Sequence, residues 1–253
     1  MPELAPASPP CFRPCAVIPT FDNPKTVRKV AERVRAHISR VFVVDDGSGI
    51  SGRTQCEALA IDGIAHVERR LQNGGKGAAV KTGFELARRD GFTHVLQVDA
   101  DAQHDLSVIP RFLAAGSTQP EALVLAHPVY DASAPAARLI ARRFTRFWVD
   151  LEVGPHRITD AMVGFRLYPL PAAMKAAAAG NRMDFDIEIA VRMVWAGVNV
   201  VNLPVAVHYP SRQDGGVSHF QPLRDNLRFV SLHSRLCTLA AVRSAKTLLR
   251  WRK

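Results

Sequence analysis

The stretch Val95-Leu96-Gln97-Val98-Asp99-Ala100-Asp101-Ala102-Gln103-His104-Asp105 decides how this chain is read. Its apolar start reads as a buried strand, and that strand stops abruptly at a cluster of oxygen donors. Burying several carboxylates without a counter-charge is costly, whereas hard oxygens at a strand end can hold Mg²⁺ or Mn²⁺ against a diphosphate. The stretch therefore points to a divalent cation and a nucleotide-diphosphate ligand. Asp99 and Asp101 are candidates for metal or nucleotide binding, Gln103 could add a neutral oxygen, and Asp105, immediately before Leu106, is placed to cap the next helix.

Outward from that strand, short β-rich runs alternate with helical patterns, as in a mainly parallel α/β sheet. Cys15 to Pro19 and Val41 to Val44 are apolar enough to be central strands. Between them a helix opens at Asn23-Pro24 and runs to about Ile38, with Val27, Val30, Val34 and Ile38 on one face. Further helices are expected over Thr54 to Ala60, Lys76 to Arg89 and Leu106 to Ala115, and strands near Ala65 to Glu68 and Ala122 to Ala126. A basic, aromatic helix around Arg138 to Leu151 then precedes a strand at Gly164 to Tyr168, a helix at Asp184 to Trp195 and a closing strand at Val198 to Val207.

With 253 residues, 47% of them hydrophobic, the chain can bury one large core, and residues 14–219 are expected to form it. Residues 1–13 read as a flexible lead without the basic and apolar regions of a secretory signal. Residues 220–253 read as a basic amphipathic helix, with Leu223, Leu227, Val230, Leu236, Leu239 and Val242 interleaved with arginine. Cys11, Cys15, Cys56 and Cys237 show neither CxxC nor zinc-site spacing, which fits a reducing cytosol.

No apolar run is long enough to span a bilayer, so any membrane contact is expected to be peripheral. The formal charge of +10 asks for an anionic partner, and eight lysines and arginines follow His219 against one acidic residue, Asp225. No nucleic-acid motif accompanies that charge, so anionic headgroups or a phosphorylated lipid are expected rather than nucleic acid. The apolar residues of this segment either pack on the domain or face lipid.

Four features fall where adjacent strands would end, which is where open α/β sheets bind ligands. Pro19-Thr20-Phe21-Asp22-Asn23 either caps a helix or, through Pro19, Thr20 and Asp22, meets a nucleotide. Asp45 and Asp46, before Gly47-Ser48, can hydrogen-bond a base or a ribose. Asn73-Gly74-Gly75-Lys76-Gly77 brings backbone, a helix N-terminus and a cation toward a phosphate, although it lacks P-loop spacing. The fourth feature is the acidic cluster, to which Ala100 contributes backbone.

The ordered set Ile18-Pro19-Thr20, Val44-Asp45-Asp46-Gly47-Ser48, Asn73-x-Gly75-Lys76-Gly77 and Asp99-Ala100-Asp101-Ala102-Gln103-His104 resembles the inverting family 2 glycosyltransferases of GT-A fold, closest to the dolichol-phosphate mannose synthase-like branch. The resemblance spans roughly residues 14 to 212. It implies that Asp45 contacts the base, that Gly75 and Lys76 support the donor, and that Asp99, Asp101 and Gln103 hold Mg²⁺ or Mn²⁺ on its diphosphate. Asp160-Ala161-Met162-Val163-Gly164-Phe165-Arg166 resembles the branch's DxxSGFR element, with Val163 in place of serine. That element puts Asp160 and Arg166 on the acceptor side.

The function implied is metal-dependent, inverting transfer from a nucleotide-diphospho-sugar to a lipid-linked or other hydrophobic acceptor, at an anionic membrane surface on the cytoplasmic side. Asp101 serves catalysis through the metal. A phosphate acceptor needs no general base, whereas a hydroxyl acceptor would draw on Asp184, Asp186 or Glu188, of which Asp186 is the catalytic candidate. The spacing of those three also suits an exposed acidic helix face. Arg212 resembles the family's basic position after the last strand and is a further catalytic candidate, its alternative being a solvated loop arginine. Gly215 and Gly216, ahead of His219, suggest a lid. The rivals are a sugar nucleotidyltransferase, whose glycine- and arginine-rich loop is missing after the first strand, and an inactive membrane-surface adaptor of the same fold.

Overall fold

A computed structural model describes residues 12–131, 134, 136–208 and 222–251 of the chain. Seven strands form one sheet: β1 (Pro14–Thr20), β2 (Val41–Asp45), β3 (His66–Arg69), β4 (His94–Val98), β5 (Leu123–Tyr130), β6 (Phe165–Pro169) and β7 (Val200–Val207). The spatial order is β3-β2-β1-β4-β6-β5-β7, and every neighbouring pair is parallel except the two that involve β6. The chain thus has the α/β architecture read from its alternating pattern.

Helices cover both faces: α1 (Val27–Arg35), α2 (Ile50–Ile61), α3 (Lys76–Arg89), α4 (Ile109–Thr118), α5 (Ala136–Val153), α6 (Leu170–Ala176), α7 (Asp184–Trp195) and α8 (Pro222–Trp251). Because strand side chains alternate, β1 sends Cys15 and Val17 into the core under α3, α5, α7 and α8, and Ala16 and Ile18 into the core under α1, α2 and α4. The central strands β1, β2 and β4 are buried on both faces, which is why they are runs of Val, Ile, Leu and Phe. Small residues set how closely α3 approaches the sheet, since a Cβ on Gly83 would press on the methyls of Val17.

Several boundaries move. The first helix starts at Val27 rather than at Asn23-Pro24, and the second spans Ile50–Ile61 rather than Thr54 to Ala60. Leu106–Val108 is a 3₁₀ turn capped by Asp105, whose carboxylate accepts from the Ser107 amide at 2.9 Å. The short α6 was not foreseen. The long C-terminal helix packs on α5 and α7, with Phe229, Leu232, His233 and Leu236 facing inward. Its expected apolar seam therefore splits: Leu236 is buried, whereas Leu227, Val230, Leu239 and Val242 are exposed. No helix among the described residues is long and apolar enough to cross a membrane.

Candidate active site

Strands β2, β1 and β4 lie side by side, so the loops that leave their carboxyl ends converge. They border a cavity of about 380 Å³ lined by Pro19 and Thr20 at the end of β1, Asp46 after β2, Asn73, Gly75 and Lys76 at the start of α3, and Asp99, Ala100, Asp101, Gln103 and His104 after β4. Of the residues expected at a nucleotide-sugar site, these are the ones the fold brings together.

Asp46 builds the glycine loop. Its Oδ2 accepts from the Gly75 amide at 2.6 Å and its Oδ1 from the Gly74 amide at 3.1 Å, while Arg70 Nε donates to Oδ1 at 2.7 Å. Gly75 has φ 98°, a conformation that favours glycine, and a Cβ there would meet the Asn181 carbonyl oxygen at 2.6 Å. The loop is thereby pressed against residues 181–182 at the entry to α7, where Ala78 N also donates to Asn181 O at 2.9 Å.

Lys76 is the electrostatic centre. Its Nζ lies 2.7 Å from Asp99 and 2.7 Å from Asp186. Burial works against the ammonium, but Asp186 and Asp99 together more than offset it and hold the Lys76 pKa above its usual value. The Asp99 pKa is raised as well: burial raises it, Lys76 pulls it back, and Asp101 and Asp186 raise it further. Its Oδ1 is in the lysine ion pair but makes no hydrogen bond of normal geometry.

This group of hard oxygens carries more negative charge than Lys76 alone neutralises, and that surplus fits a divalent cation. Among the described residues no three His, Cys, Asp or Glu side chains form a ready-made metal cluster. Asp99, Asp101 and Gln103 all border the cavity, which is where their oxygens could meet a cation. His104, stacked at 5.8 Å on Phe165, is half-buried, its inward Nδ1 has no hydrogen-bond partner, and desolvation drives its pKa down to about 4, so the ring is neutral.

Antiparallel β6 returns beside β4 with Phe165 opposite Val98, which brings Gly164 alongside Asp99. A Cβ on Gly164 would overlap the Asp99 carboxylate, so the glycine leaves room for that group.

Other expected residues sit elsewhere. Asp45 is buried beside the cavity rather than lining it, bonded to Arg69 and, at 2.9 Å, to the Ser48 amide, because its strand turns it toward the next loop. Asp22 accepts from the Gly49 amide at 2.9 Å and ties the first loop to the second instead of facing the cavity. Asp160 pairs with Arg142 and accepts from the Met162 amide at 2.8 Å, so Arg142, not Asp160, reaches the lining.

Arg166 is wholly buried and donates to the carbonyls of Ala161 at 3.1 Å, Val163 and Asp186, the last at 2.8 Å. It stitches the turn before β6 to α7 and does not present its charge to an acceptor. Asp186 and Glu188 are likewise buried, which overturns the exposed acidic face. Asp186 sits behind Lys76 and accepts from Gln97 at 3.2 Å, while Glu188 takes the Gly180 amide and Arg192 at 2.8 Å and Arg235 at 2.9 Å. Asp184 accepts from the Arg182 amide at 3.0 Å, and none of the three lines the cavity. Arg212, Gly215, Gly216 and His219 lie outside the described residues.

The arginines of the lining were not foreseen. Arg142 from α5, Arg182 before α7 and Arg224 and Arg228 from α8 all line the cavity. Arg224 and Arg228 stand one helical turn apart, a sequence signal that the sheer number of basic residues in that segment obscured.

A sequence model of the family described as Glycosyl transferase family 2 matches residues 15–185. The chain is 28% identical over 207 residues to the polyprenol monophosphomannose synthase of Mycolicibacterium smegmatis, spanning 78% of this chain and 77% of that one. It is 26% identical over 203 residues to the undecaprenyl-phosphate mannosyltransferase of Micrococcus luteus, spanning 77% and 83%. Among solved structures, glucosyl-3-phosphoglycerate synthase from Mycobacterium tuberculosis in complex with Mg²⁺ and uridine diphosphate superposes with a TM-score of 0.67 at 13% identity, over 90% of this chain and 80% of that one. The same enzyme with Mn²⁺, uridine diphosphate and phosphoglyceric acid gives 0.66 at 14% identity, over 90% and 79%. At such identities the structural likeness speaks for the fold alone.

Proposed function

Because the chain belongs to family 2 of the glycosyltransferases, we propose that it moves a sugar, with inversion at the anomeric carbon, from a nucleoside-diphosphate donor to a polyprenyl phosphate or similar lipid-linked acceptor. The observation that carries this reading is that a single cavity is lined both by Asp99, Asp101 and the glycine loop and by four arginines, Arg142, Arg182, Arg224 and Arg228. The first set suits a metal-bound diphosphate. The second suits an anionic acceptor.

Asp99, Asp101 and Gln103 would hold Mg²⁺ or Mn²⁺, which supplies positive charge against the departing nucleoside diphosphate. Asp46 fixes the glycine loop so that its backbone and Lys76 lie beside the donor, and the start of α3 adds its favourable dipole. Asp186 acts through Lys76, whose ammonium it holds 2.7 Å away, rather than on an acceptor proton. A phosphate acceptor arrives already ionised, so Arg142, Arg182, Arg224 and Arg228 need only bind and orient it opposite the leaving group. That Asp184, Asp186 and Glu188 all lie off the lining supports such a base-free attack.

The two relatives named for transfer to polyprenol and undecaprenyl phosphate support this acceptor class and make mannose the first sugar to try. Residues 14–219 would be the catalytic unit, with α8 as a basic arm packed on it. The protein would work peripherally at an anionic membrane on its cytoplasmic side. The test is transfer of labelled sugar from GDP- and UDP-sugars into the lipid extract with Mn²⁺ present. Metal-dependent labelling that is lost in Asp101→Ala is expected, and labelling that survives chelation or that substitution would overturn the assignment.

A further inference from the structure

We propose that the outward face of α5, with the first turns of α8, docks on an anionic lipid bilayer and sets the cavity mouth against the headgroups. This rests on the lipid-linked acceptor proposed above and names the face that would meet the membrane. Ile140, Phe144, Phe147 and Leu151 fall on one stripe of α5 and are 67%, 60%, 57% and 58% exposed. The opposite stripe, with Thr145, Val149, Glu152 and Val153, packs on the domain. A helix on a protein surface ordinarily turns polar residues outward, and a continuous row of large apolar side chains marks an interaction face.

The neighbouring helix α8 also carries exposed apolar residues near its start. That helix lies beside α5, with the Trp148 and His233 rings stacked at 6.1 Å and His233 Nδ1 2.8 Å from Glu152. On it Leu227 and Val230 are 63% and 59% exposed.

Charge says what covers this face. Arg143 and Arg224 are exposed, and the acidic residues of these two helices give the face little negative charge, since Glu152 and Asp225 are buried and Asp150 lies 3.8 Å from Arg146. An apolar stripe with a basic rim complements acyl chains beneath anionic headgroups. A second copy of the chain would instead bring the same arginines face to face. Three of the arginines that line the cavity sit on these two helices, Arg142 on α5 and Arg224 and Arg228 on α8. A phosphate anchored in the bilayer would reach them without its lipid tail crossing water.

The test compares the full chain with a Phe144→Ser/Phe147→Ser variant by flotation with phosphatidylcholine vesicles, with and without phosphatidylglycerol. Neither phenylalanine lines the cavity, and circular dichroism together with the thermal shift given by nucleotide plus Mn²⁺ monitors the fold and site. The wild type is expected to float with the phosphatidylglycerol vesicles, and the variant to lose roughly tenfold or more in vesicle affinity with its nucleotide response intact. Equal binding by the variant would overturn this inference alone, as would a variant whose oligomer dissociates while its vesicle binding is unchanged. Equal binding of the wild type to both vesicle types would overturn the anionic assignment. A wild type that binds neither vesicle would overturn the peripheral membrane location itself, whereas the donor site answers to the nucleotide shift.

Discussion

Replacing Gly164 with alanine strikes the proposed donor site from a residue that carries no chemistry of its own. The new Cβ would overlap the Asp99 carboxylate, all of whose atoms lie well inside the 3.0 Å that real Cβ contacts essentially never breach. Normal contact then requires Asp99 to move by roughly 1 Å. Such a shift pulls Asp99 from Lys76 and from Asp101, and a misplacement of about 1 Å at a reacting centre costs on the order of 10²-fold in rate. Overpacking should cost about 1–3 kcal/mol in stability.

Gly83→Ala separates the two effects, because its Cβ would press on Val17, including Cγ2 at 2.8 Å, in the core and away from the cavity. Both variants should lose comparable stability in urea or heat. At a temperature where both are folded, only Gly164→Ala should lose metal-dependent transfer and the nucleotide-induced thermal shift. A folded Gly164→Ala protein with wild-type transfer would refute the reasoning.

Other consequences follow from buried groups. Arg166→Leu leaves the carbonyls of Ala161, Val163 and Asp186 without their donor, and should cost about 3–5 kcal/mol in chemical denaturation, with Arg166→Lys recovering only part. Burial lowers the His94 pKa, against the opposing effect of the hydrogen bond that its Nε2 donates to Pro120 O, so the fold keeps the ring neutral while the unfolded chain protonates near 6.5. The resulting stability is complete above that pH and falls by up to about 1.4 kcal/mol per unit as pH drops toward the folded value. His94→Gln should flatten the fall of Tm between pH 7.5 and 5.5. Burial drives the thiols of Cys15 and Cys56 up to about 12, so iodoacetamide at pH 8 should leave both unmodified until the protein is unfolded, as peptide mass mapping would show.

The sequence and structure agree best where local pattern suffices. The limits expected for α3 and α7 are those observed, since each has a clear apolar periodicity and a defined entry. The short α6 escaped because an alanine-rich run behind Leu170-Pro171 has no period to read. At the site, the motifs after β1, β2 and β4 converge because strand ends must, and this much is legible from strand order alone.

Burial of charge was not legible. Arg166, Asp186 and Glu188 look like surface residues until Lys76, Arg192, Arg235 and the turn at 161–163 arrive from distant parts of the chain to compensate them. The same holds for the cavity's arginines, which come from α5, the entry to α7 and α8. Along α8, the inward side is set by where α5 and α7 lie, so its many apolar residues could not be sorted by spacing.

The measurement that bears most directly on the central claim is the melting temperature of the protein with UDP or GDP, with and without Mn²⁺. A nucleotide at about a hundred times its Kd adds roughly 2.7 kcal/mol of stability, or about 5–10 °C for a chain of this size. The account predicts such a rise with one of the two nucleotides only when Mn²⁺ is present, and its loss in Asp101→Ala. A rise that is indifferent to the metal, or no rise with either nucleotide, would contradict the assignment of Asp99, Asp101 and Gln103 to a metal-held diphosphate.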